Sequence, residues 1–264
     1  MKKASPLSEV EACCADFYQS LAVRFFLGES LHPGGLALTH RLVDKLNLGP
    51  GSKVLDIAAG WGSTGIDLAQ RFGCRVVGLD LGKTSMETAH IEASRKGLDE
   101  KVSFVCGDAK MLPFPSHSFD AILCECSFSA FPMKELAAKE MWRVLRPGGV
   151  VGISDITKEG ALPQELQGPL SWMLCLGGAK SMQGYKTSLE GAGFSLVKTE
   201  CHAEALLELI KVIQGKLSLV EGLGRLKMLH LDGLDVAKAK TLLAVAAKSV
   251  EEGLLGYDLL VGYK

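Results

Sequence analysis

The stretch from residue 53 to residue 72 constrains the fold more than any other part of this chain. It begins with a short apolar run at 53–57, continues through a turn that contains three glycines, and ends in an amphipathic segment. A strand, a glycine-rich turn and a helix in direct succession are typical of the first β–α unit of a parallel sheet. Glycine suits such a turn because a Cβ atom would fill the space through which a ligand reaches the backbone.

Similar apolar runs alternate with amphipathic segments through the rest of the chain. We predict seven strands, near residues 53–57, 75–79, 102–105, 119–124, 150–154, 194–200 and 257–262. Helices are predicted at about 8–26, up to Leu46, and near 63–72, 84–96, 133–145, 183–192, 203–215 and 235–252. This order predicts a Rossmann-like α/β fold, with helices on both faces of a seven-stranded, mostly parallel sheet.

The length and the apolar content are consistent with one domain over residues 1–264. Hydrophobic residues make up 47% of the chain, enough for one sizeable core, and α/β domains of this size are often single. Within it we predict an N-terminal helical cap at 1–50, a Rossmann-like core at 51–201, and a helical insertion with the final strand at 202–264.

Charge and cysteine usage exclude several classes of partner. The net charge is −1 and the charges are interspersed, so neither a nucleic-acid nor a membrane partner is expected. The expected partner is a small-molecule substrate. The basic first residues are not followed by an apolar segment, so no signal peptide is expected. Eight cysteines without a C-x-x-C pair favour a reducing, cytoplasmic location and weaken a zinc site. The oligomeric state is not predicted.

The glycine spacing alone is ambiguous between two kinds of ligand. Gly60-x-Gly62-x-x-Gly65 also matches the dinucleotide-binding pattern. Asp56, just before the turn, would repel a pyrophosphate but could help to hold a cationic ammonium group. Asp80 ends the second strand, twenty residues after Gly60, where a carboxylate suits ribose hydroxyls. These acids favour a positively charged nucleoside.

Downstream segments resemble the class I methyltransferases that use S-adenosylmethionine. Gly107-Asp108-Ala109 follows the third strand, and residues 112–122 resemble the adenine-binding loop and fourth strand of that family. Residues 140–149 resemble its helix and turn before the fifth strand. The matches keep the family's order and spacing over about residues 50–156, so the resemblance implies S-adenosylmethionine as the cofactor.

The resemblance also implies which residues contact the cofactor. Gly60 and Gly62 would flank its methionine end, Asp80 its ribose and Asp108 its adenine amino group. The remaining predicted contacts are Asp56, Ala58, Leu81, Ala109 and Cys124. Gly65 is interpreted as a helix-packing residue.

Two cysteines in the segments expected to close over the cofactor suggest the methyl acceptor. Cys126 follows the fourth strand, and Cys175 lies in Trp172-x-x-Cys-Leu-Gly-Gly-Ala. This layout resembles the arsenite methyltransferases, in which cysteines at these two positions bind trivalent arsenic as thiolates. Trivalent arsenic prefers thiolate ligands and keeps a lone pair for the transfer, so no general base is required. Cys13 of the first helix is the candidate for a third thiolate.

Two departures from that family keep other functions open. Residues 25–30 contain no cysteine where the family has one, and 202–264 does not resemble the arsenite enzymes. The first alternative is a methyltransferase for a small organic, quinone-like or otherwise apolar substrate, with Phe128, Phe131 and Trp172 as apolar walls. The second is a non-catalytic protein that binds the cofactor or a metalloid. In the first alternative, Cys126 and Cys175 are ordinary buried thiols.

Overall fold

The computed structural model describes residues 18–168, 171–172, 174–225 and 235–264. In these ranges seven strands form one sheet, in the order β3-β2-β1-β4-β5-β7-β6. The strands are β1 (Lys53–Ile57), β2 (Arg75–Asp80), β3 (Val102–Cys106), β4 (Phe119–Glu125), β5 (Leu145–Lys158), β6 (Ser195–Cys201) and β7 (Leu255–Tyr263). The pairs among β1 to β5 are parallel, and β7 runs antiparallel to both of its neighbours. The predicted Rossmann-like fold is confirmed.

Helices follow most strands and lie against the sheet. They are α1 (Leu21–Leu27), α2 (Gly35–Val43), α3 (Ser63–Arg71), α4 (Lys83–Arg95), α5 (Lys134–Val144), α6 (Met182–Glu190), α7 (Ala203–Arg225) and α8 (Val236–Glu251). Most bounds agree with the prediction within about three residues. The first predicted helix begins outside the described residues, and α7 is about ten residues longer than predicted.

The fifth strand is also longer than predicted, since it begins at Leu145 and ends at Lys158. Its start at Leu145 pairs with Phe119 of β4, and its later end comes from its antiparallel partner, β7. Residues 150–158 of β5 pair in continuous register with 255–263 of β7. A strand end predicted from apolar residues alone excludes Thr157 and Lys158. These two polar residues nevertheless continue the hydrogen-bonded ladder with β7.

The core consists of two apolar layers, one on each face of the sheet. Successive residues of a strand point to opposite faces, so Val54 and Leu123 belong to one layer and Leu55 and Ile122 to the other. Helices α2, α3, α7 and α8 contribute to the first layer, and α5 and α6 to the second. This burial on both faces explains why the strands read as continuous apolar runs.

The insertion before the last strand packs on the sheet and also holds the N-terminal part of the described chain. Helix α7 contacts α1, α8 and β7. Lys216 of α7 donates hydrogen bonds to the carbonyl oxygens of Phe25 and Phe26, at 2.6 and 3.2 Å. None of the helices among the described residues combines the length and the apolar character that crossing a bilayer requires. The division into cap, core and insertion stays a prediction.

Candidate cofactor and acceptor site

A cavity opens at the carboxyl ends of β1, β2 and β4. Its volume is about 1150 Å³, counting the part that is open to solvent. In an open parallel sheet, ligands bind at this edge, where neighbouring strands carry their connections to opposite faces. Seven of the nine residues predicted to contact the cofactor line it: Asp56, Ala58, Gly60, Asp80, Leu81, Asp108 and Ala109.

The turn after β1 is shaped by left-handed backbone conformations. Ala58 has φ +59°, and Gly60 and Gly62 have φ +53° and +77°. A Cβ atom on Gly62 would lie 2.6 Å from the Phe104 ring and 2.8 Å from the Ala89 side chain. Gly62 is outside the cavity lining, and the space it leaves open is taken by side chains of β3 and α4. Its predicted role beside the methionine end of the cofactor stays a prediction.

Asp80, the last residue of β2, holds this turn through hydrogen bonds to its backbone. Its Oδ2 accepts a hydrogen bond from the Gly60 N–H at 2.9 Å, and its Oδ1 accepts one from the Gly82 N–H at 2.8 Å. Burial raises the pKa of the Asp80 carboxyl, and these backbone donors oppose that shift. Each oxygen has a further lone pair, so the carboxylate can also accept from the hydroxyls of a ribose.

Asp56 is a buried carboxylate with an unsatisfied oxygen. Its residue is 3% exposed, and among the described residues its Oδ2 has no hydrogen-bond partner. Burial, and next the charges of Glu125 and Asp80, raise its pKa well above the usual range. A buried anion is costly unless a cation or a hydrogen-bond donor faces it. The α-ammonium of S-adenosylmethionine would supply both, so the residues present fit this cofactor.

At the far end of the cavity, the predicted adenine contacts come together after β2 and β3. Asp108 accepts a hydrogen bond from the Lys110 N–H at 2.8 Å, and its other oxygen lies 3.2 Å from Lys110 Nζ. Leu81 is 44% exposed on the cavity side, next to Ala109, and presents an apolar surface for a purine ring. The assignment of these residues to adenine stays a prediction.

Cys124 is the other predicted cofactor contact that lies outside the cavity lining. Its thiol is fully buried among the residues of the second apolar layer, 3.2 Å from the Ser127 hydroxyl. Residues 124 and 126 would share a face in a regular strand. However, β4 ends at Glu125 and Cys126 adopts φ +48°, so Cys126 packs toward the first layer instead.

The two cysteines predicted to bind the acceptor lie together in the same cavity. Cys126 and Cys175 both line it, and neither is in a disulfide. The Cys175 thiol donates a hydrogen bond to the Cys126 carbonyl oxygen at 3.2 Å. The interaction between the two thiols lowers the pKa of Cys175 and, with burial, raises the pKa of Cys126. The two side chains therefore form one interacting pair within the cavity.

Backbone strain is concentrated around this cavity. Six non-glycine residues in the described ranges have positive φ: Leu31, Asn47, Ala58, His117, Cys126 and Cys175. Four of them, Leu31, Ala58, Cys126 and Cys175, line the cavity. Left-handed backbone costs a non-glycine residue roughly 1 kcal/mol or more, and such residues cluster where a site needs a fixed geometry. The strain at both cysteines marks them as positioned residues.

Two tyrosines lie close to the cysteine thiols, and the sequence does not predict either of them. The Tyr18 hydroxyl lies 3.3 Å from Cys175 Sγ. Tyr257 opposes the rise in the pKa of Cys126. The one hydroxyl proton of Tyr257 is donated to Ser154 Oγ at 3.0 Å. Hydroxyl donors favour the thiolate form. Tyr18 is 157 positions from Cys175, and no sequence signal indicates that pairing.

A buried ionic group supports the turn that follows Cys126. Asp155 accepts from the Ser129 N–H at 2.7 Å, and Lys134 Nζ donates to the Ser129 carbonyl at 2.7 Å. Burial raises the pKa of Asp155 to about 6 and lowers the pKa of Lys134 to about 8. Since both side chains bind backbone, they fix the turn against which the Cys175 segment packs.

Among the aromatic candidates, only Phe131 lines the cavity within the described part of the chain. Phe128 is fully buried, next to Phe131 and Tyr185. The Trp172 ring covers the backbone of Gly177 and Gly178. Cys13, the candidate for a third thiolate, lies outside the described residues.

Comparisons with known proteins identify a methyltransferase domain around the glycine turn. The family model described as "Methyltransferase domain" matches residues 54–149. The chain is 32% identical over 173 residues to Methyltransferase GfsG of Streptomyces halstedii, covering 64% of this chain and 62% of that protein. It is 35% identical over 130 residues to the sterol 24-C-methyltransferase ERG6B of Gibberella zeae, covering 49% of this chain and 34% of that protein. The chain thus spans between about a third and three fifths of these two relatives.

Among solved structures, the crystal structure of the [4+2]-cyclase SpnF superimposes with a TM-score of 0.78 at 23% identity. The match covers 99% of this chain and 97% of that one. At this identity the likeness shows the fold alone. Over the glycine turn and the strands around it, residues 54–149 therefore match a methyltransferase domain, the kind of domain that uses S-adenosylmethionine.

Proposed function

We propose that this protein transfers the methyl group of S-adenosylmethionine to a small, soft acceptor, namely trivalent arsenic bound by Cys126 and Cys175. One observation carries the proposal. Two free thiols from distant parts of the sequence line the same cavity as Asp56, Asp80 and Asp108, and the thiol of Cys175 donates a hydrogen bond to the backbone carbonyl of Cys126.

The cavity divides into a cofactor end and an acceptor end. Asp56 and the turn after β1 would hold the methionine part, Asp80 the ribose, and Asp108 with Leu81 the adenine. When bound, the cofactor supplies an electrophilic methyl group on a sulfonium. Cys126 follows the end of β4, beside the β1 turn, and Cys175 lines the same cavity, so an acceptor bound by both would be near the methionine end.

Arsenite binding by the two thiols is a balanced exchange. Two S–As bonds form and two As–OH bonds break, and each thiol proton leaves with a hydroxide as water. The arsenic keeps its lone pair, so no proton has to be removed from the acceptor before methyl transfer. Positioning and exclusion of water are then the main tasks of the protein.

An apolar organic acceptor is the second candidate, and one feature favours it. Leu31, Ala130 and Phe131 give the cavity an apolar wall next to Cys126. A relative that matches half of the chain is a sterol methyltransferase. In that case the cysteines would be packing residues, and replacing them by serine would leave methyl transfer largely intact.

The test is arsenic speciation after incubation with arsenite, S-adenosylmethionine and a small thiol. The wild type is expected to give methylated arsenic. Cys126→Ser and Cys175→Ser are each expected to lower the rate by about 100-fold or more, since even an outer partner of a metal ligand is worth roughly 10–100-fold. Cys201→Ser is the matched control, because Cys201 is an exposed cysteine of β6.

Binding measurements separate the other outcomes. All variants are expected to retain S-adenosylhomocysteine binding, since the thiols lie outside the nucleoside end of the cavity. Tight arsenite binding without any methylated product would show a metalloid-binding protein. A wild type that binds no arsenite, yet methylates an apolar organic compound, would show the second candidate instead.

A further inference from the structure

Glu125 is a buried carboxylate that the cofactor pattern does not include. Its side chain is 6% exposed and lines the cavity at the end of β4. Its oxygens accept hydrogen bonds from the Thr64 hydroxyl at 2.8 Å and from the Thr39 hydroxyl at 3.0 Å. His32 Nε2 lies 3.6 Å away. Three separate elements thus hold this side chain in place inside the cavity.

The position of Glu125 is at the junction of the two ends of the cavity. Strands β1 and β4 are parallel neighbours, and Ile57 is opposite Cys124, so Glu125 emerges beside the start of the glycine turn. Thr64, its hydrogen-bond donor, is in the first turn of α3, directly after that turn. The next residue, Cys126, carries the acceptor thiol. Glu125 therefore lies where the methionine part of the cofactor is expected.

The negative charges of Glu125 and its neighbour Asp56 favour a cationic ligand. The charge of Glu125 is among the causes that raise the pKa of Asp56, so the two carboxylates are close enough to repel each other. Thr39 and Thr64 are neutral donors, and His32 adds a positive charge only when it is protonated. Two buried carboxylates in one cavity raise its free energy unless a cation binds between them. The unpartnered Oδ2 of Asp56 is the second observation that favours a cationic ligand here.

We propose that Glu125 binds the α-ammonium group of the cofactor together with Asp56, and so selects ligands that carry the amino-acid end. A primary ammonium has three N–H donors and can engage both carboxylates at once. The threonine hydroxyls orient Glu125 and leave lone pairs of its oxygens for the ligand. This inference rests on the cofactor and does not depend on which acceptor is methylated.

The experiment compares two ligands that differ only at the amino-acid end. S-adenosylhomocysteine carries the ammonium, whereas methylthioadenosine keeps the nucleoside and thioether without it. By titration calorimetry, Glu125→Gln is expected to weaken S-adenosylhomocysteine binding by about 10-fold, the size of one charged hydrogen bond. Binding of methylthioadenosine is expected to stay within about 2-fold, since that ligand does not reach Glu125. Glu252→Gln, at the exposed end of α8, is the control.

A second measurement uses only the wild type, so its result does not depend on whether Glu125→Gln folds. The decarboxylated analogue of S-adenosylhomocysteine, which keeps the amine, is expected to bind the wild type more tightly than methylthioadenosine. Equal loss of both ligands in folded Glu125→Gln would show a structural role and overturn the proposal. So would unchanged binding of S-adenosylhomocysteine, or a wild type that does not distinguish the amine analogue from methylthioadenosine.

Discussion

Replacing Asp80 by asparagine is expected to weaken S-adenosylhomocysteine binding by about 30-fold, corresponding to roughly 2 kcal/mol for a charge-assisted hydrogen bond. The carboxylate has two tasks that an amide cannot perform together. It accepts from the Gly60 and Gly82 N–H groups with its two oxygens, and it is placed to accept from ribose hydroxyls. An amide has one oxygen, so its NH2 group would face a backbone donor and loosen the glycine turn.

Titration calorimetry on the folded variant measures this effect. Asp99→Asn is the matched control, since Asp99 is an exposed aspartate after α4 and lies outside the cavity lining in the described residues. A variant that unfolds at the wild-type temperature but binds the nucleoside as tightly as the wild type would show that Asp80 does not hold the ribose.

Replacing Gly178 by alanine is expected to impair the acceptor end while sparing the cofactor end. A Cβ atom at this position would overlap the Ser129 carbonyl oxygen, and it would lie 2.9 Å from the Trp172 ring and 3.0 Å from Lys134 Nζ. Ser129 belongs to the turn fixed by Asp155 and Lys134, so the segment that carries Cys175 must move instead. Overpacking of this kind costs about 1–3 kcal/mol of stability.

Displacement of Cys175 from Cys126 is expected to weaken arsenite binding by about 10-fold or more, because the arsenic would lose one of its two thiolate ligands. Denaturant unfolding measures the stability, and tryptophan fluorescence during arsenite titration measures the binding, with Trp172 as a reporter near Cys175. Gly215→Ala is the control, since a Cβ atom there meets nothing within 4 Å. Wild-type arsenite affinity in folded Gly178→Ala would contradict the packing argument.

The sheet and most helices could be predicted because their signals are local. The apolar runs of β1 to β4 are buried on both faces, and glycine, proline or polar residues interrupt the pattern between them. The glycine turn, Asp56 and Asp80 follow from the same rule, since each lies at the carboxyl end of a strand in one parallel sheet. The longer β5 could not be predicted, since its last residues are specified by pairing with β7.

The contacts within the site depend on packing between distant segments. A family resemblance identifies Cys126 and Cys175, but no sequence signal predicts that the Cys175 thiol bonds to the backbone of Cys126. Tyr18, Tyr257 and Glu125 have no local signal, because each comes from a different part of the chain and meets the site only in the folded protein. Thr39 and Glu125, for example, are 86 positions apart and meet only when α2 packs beside the end of β4.

The most direct test of the central claim is calorimetric titration of the folded full chain with S-adenosylhomocysteine and, separately, with NAD. The carboxylates at 56, 80 and 125 make the cavity suited to a nucleoside with a cationic side chain and unsuited to a pyrophosphate. We predict saturable binding of S-adenosylhomocysteine, competition by S-adenosylmethionine, and no heat from NAD. Binding of NAD by a folded protein that takes up neither nucleoside would contradict the account.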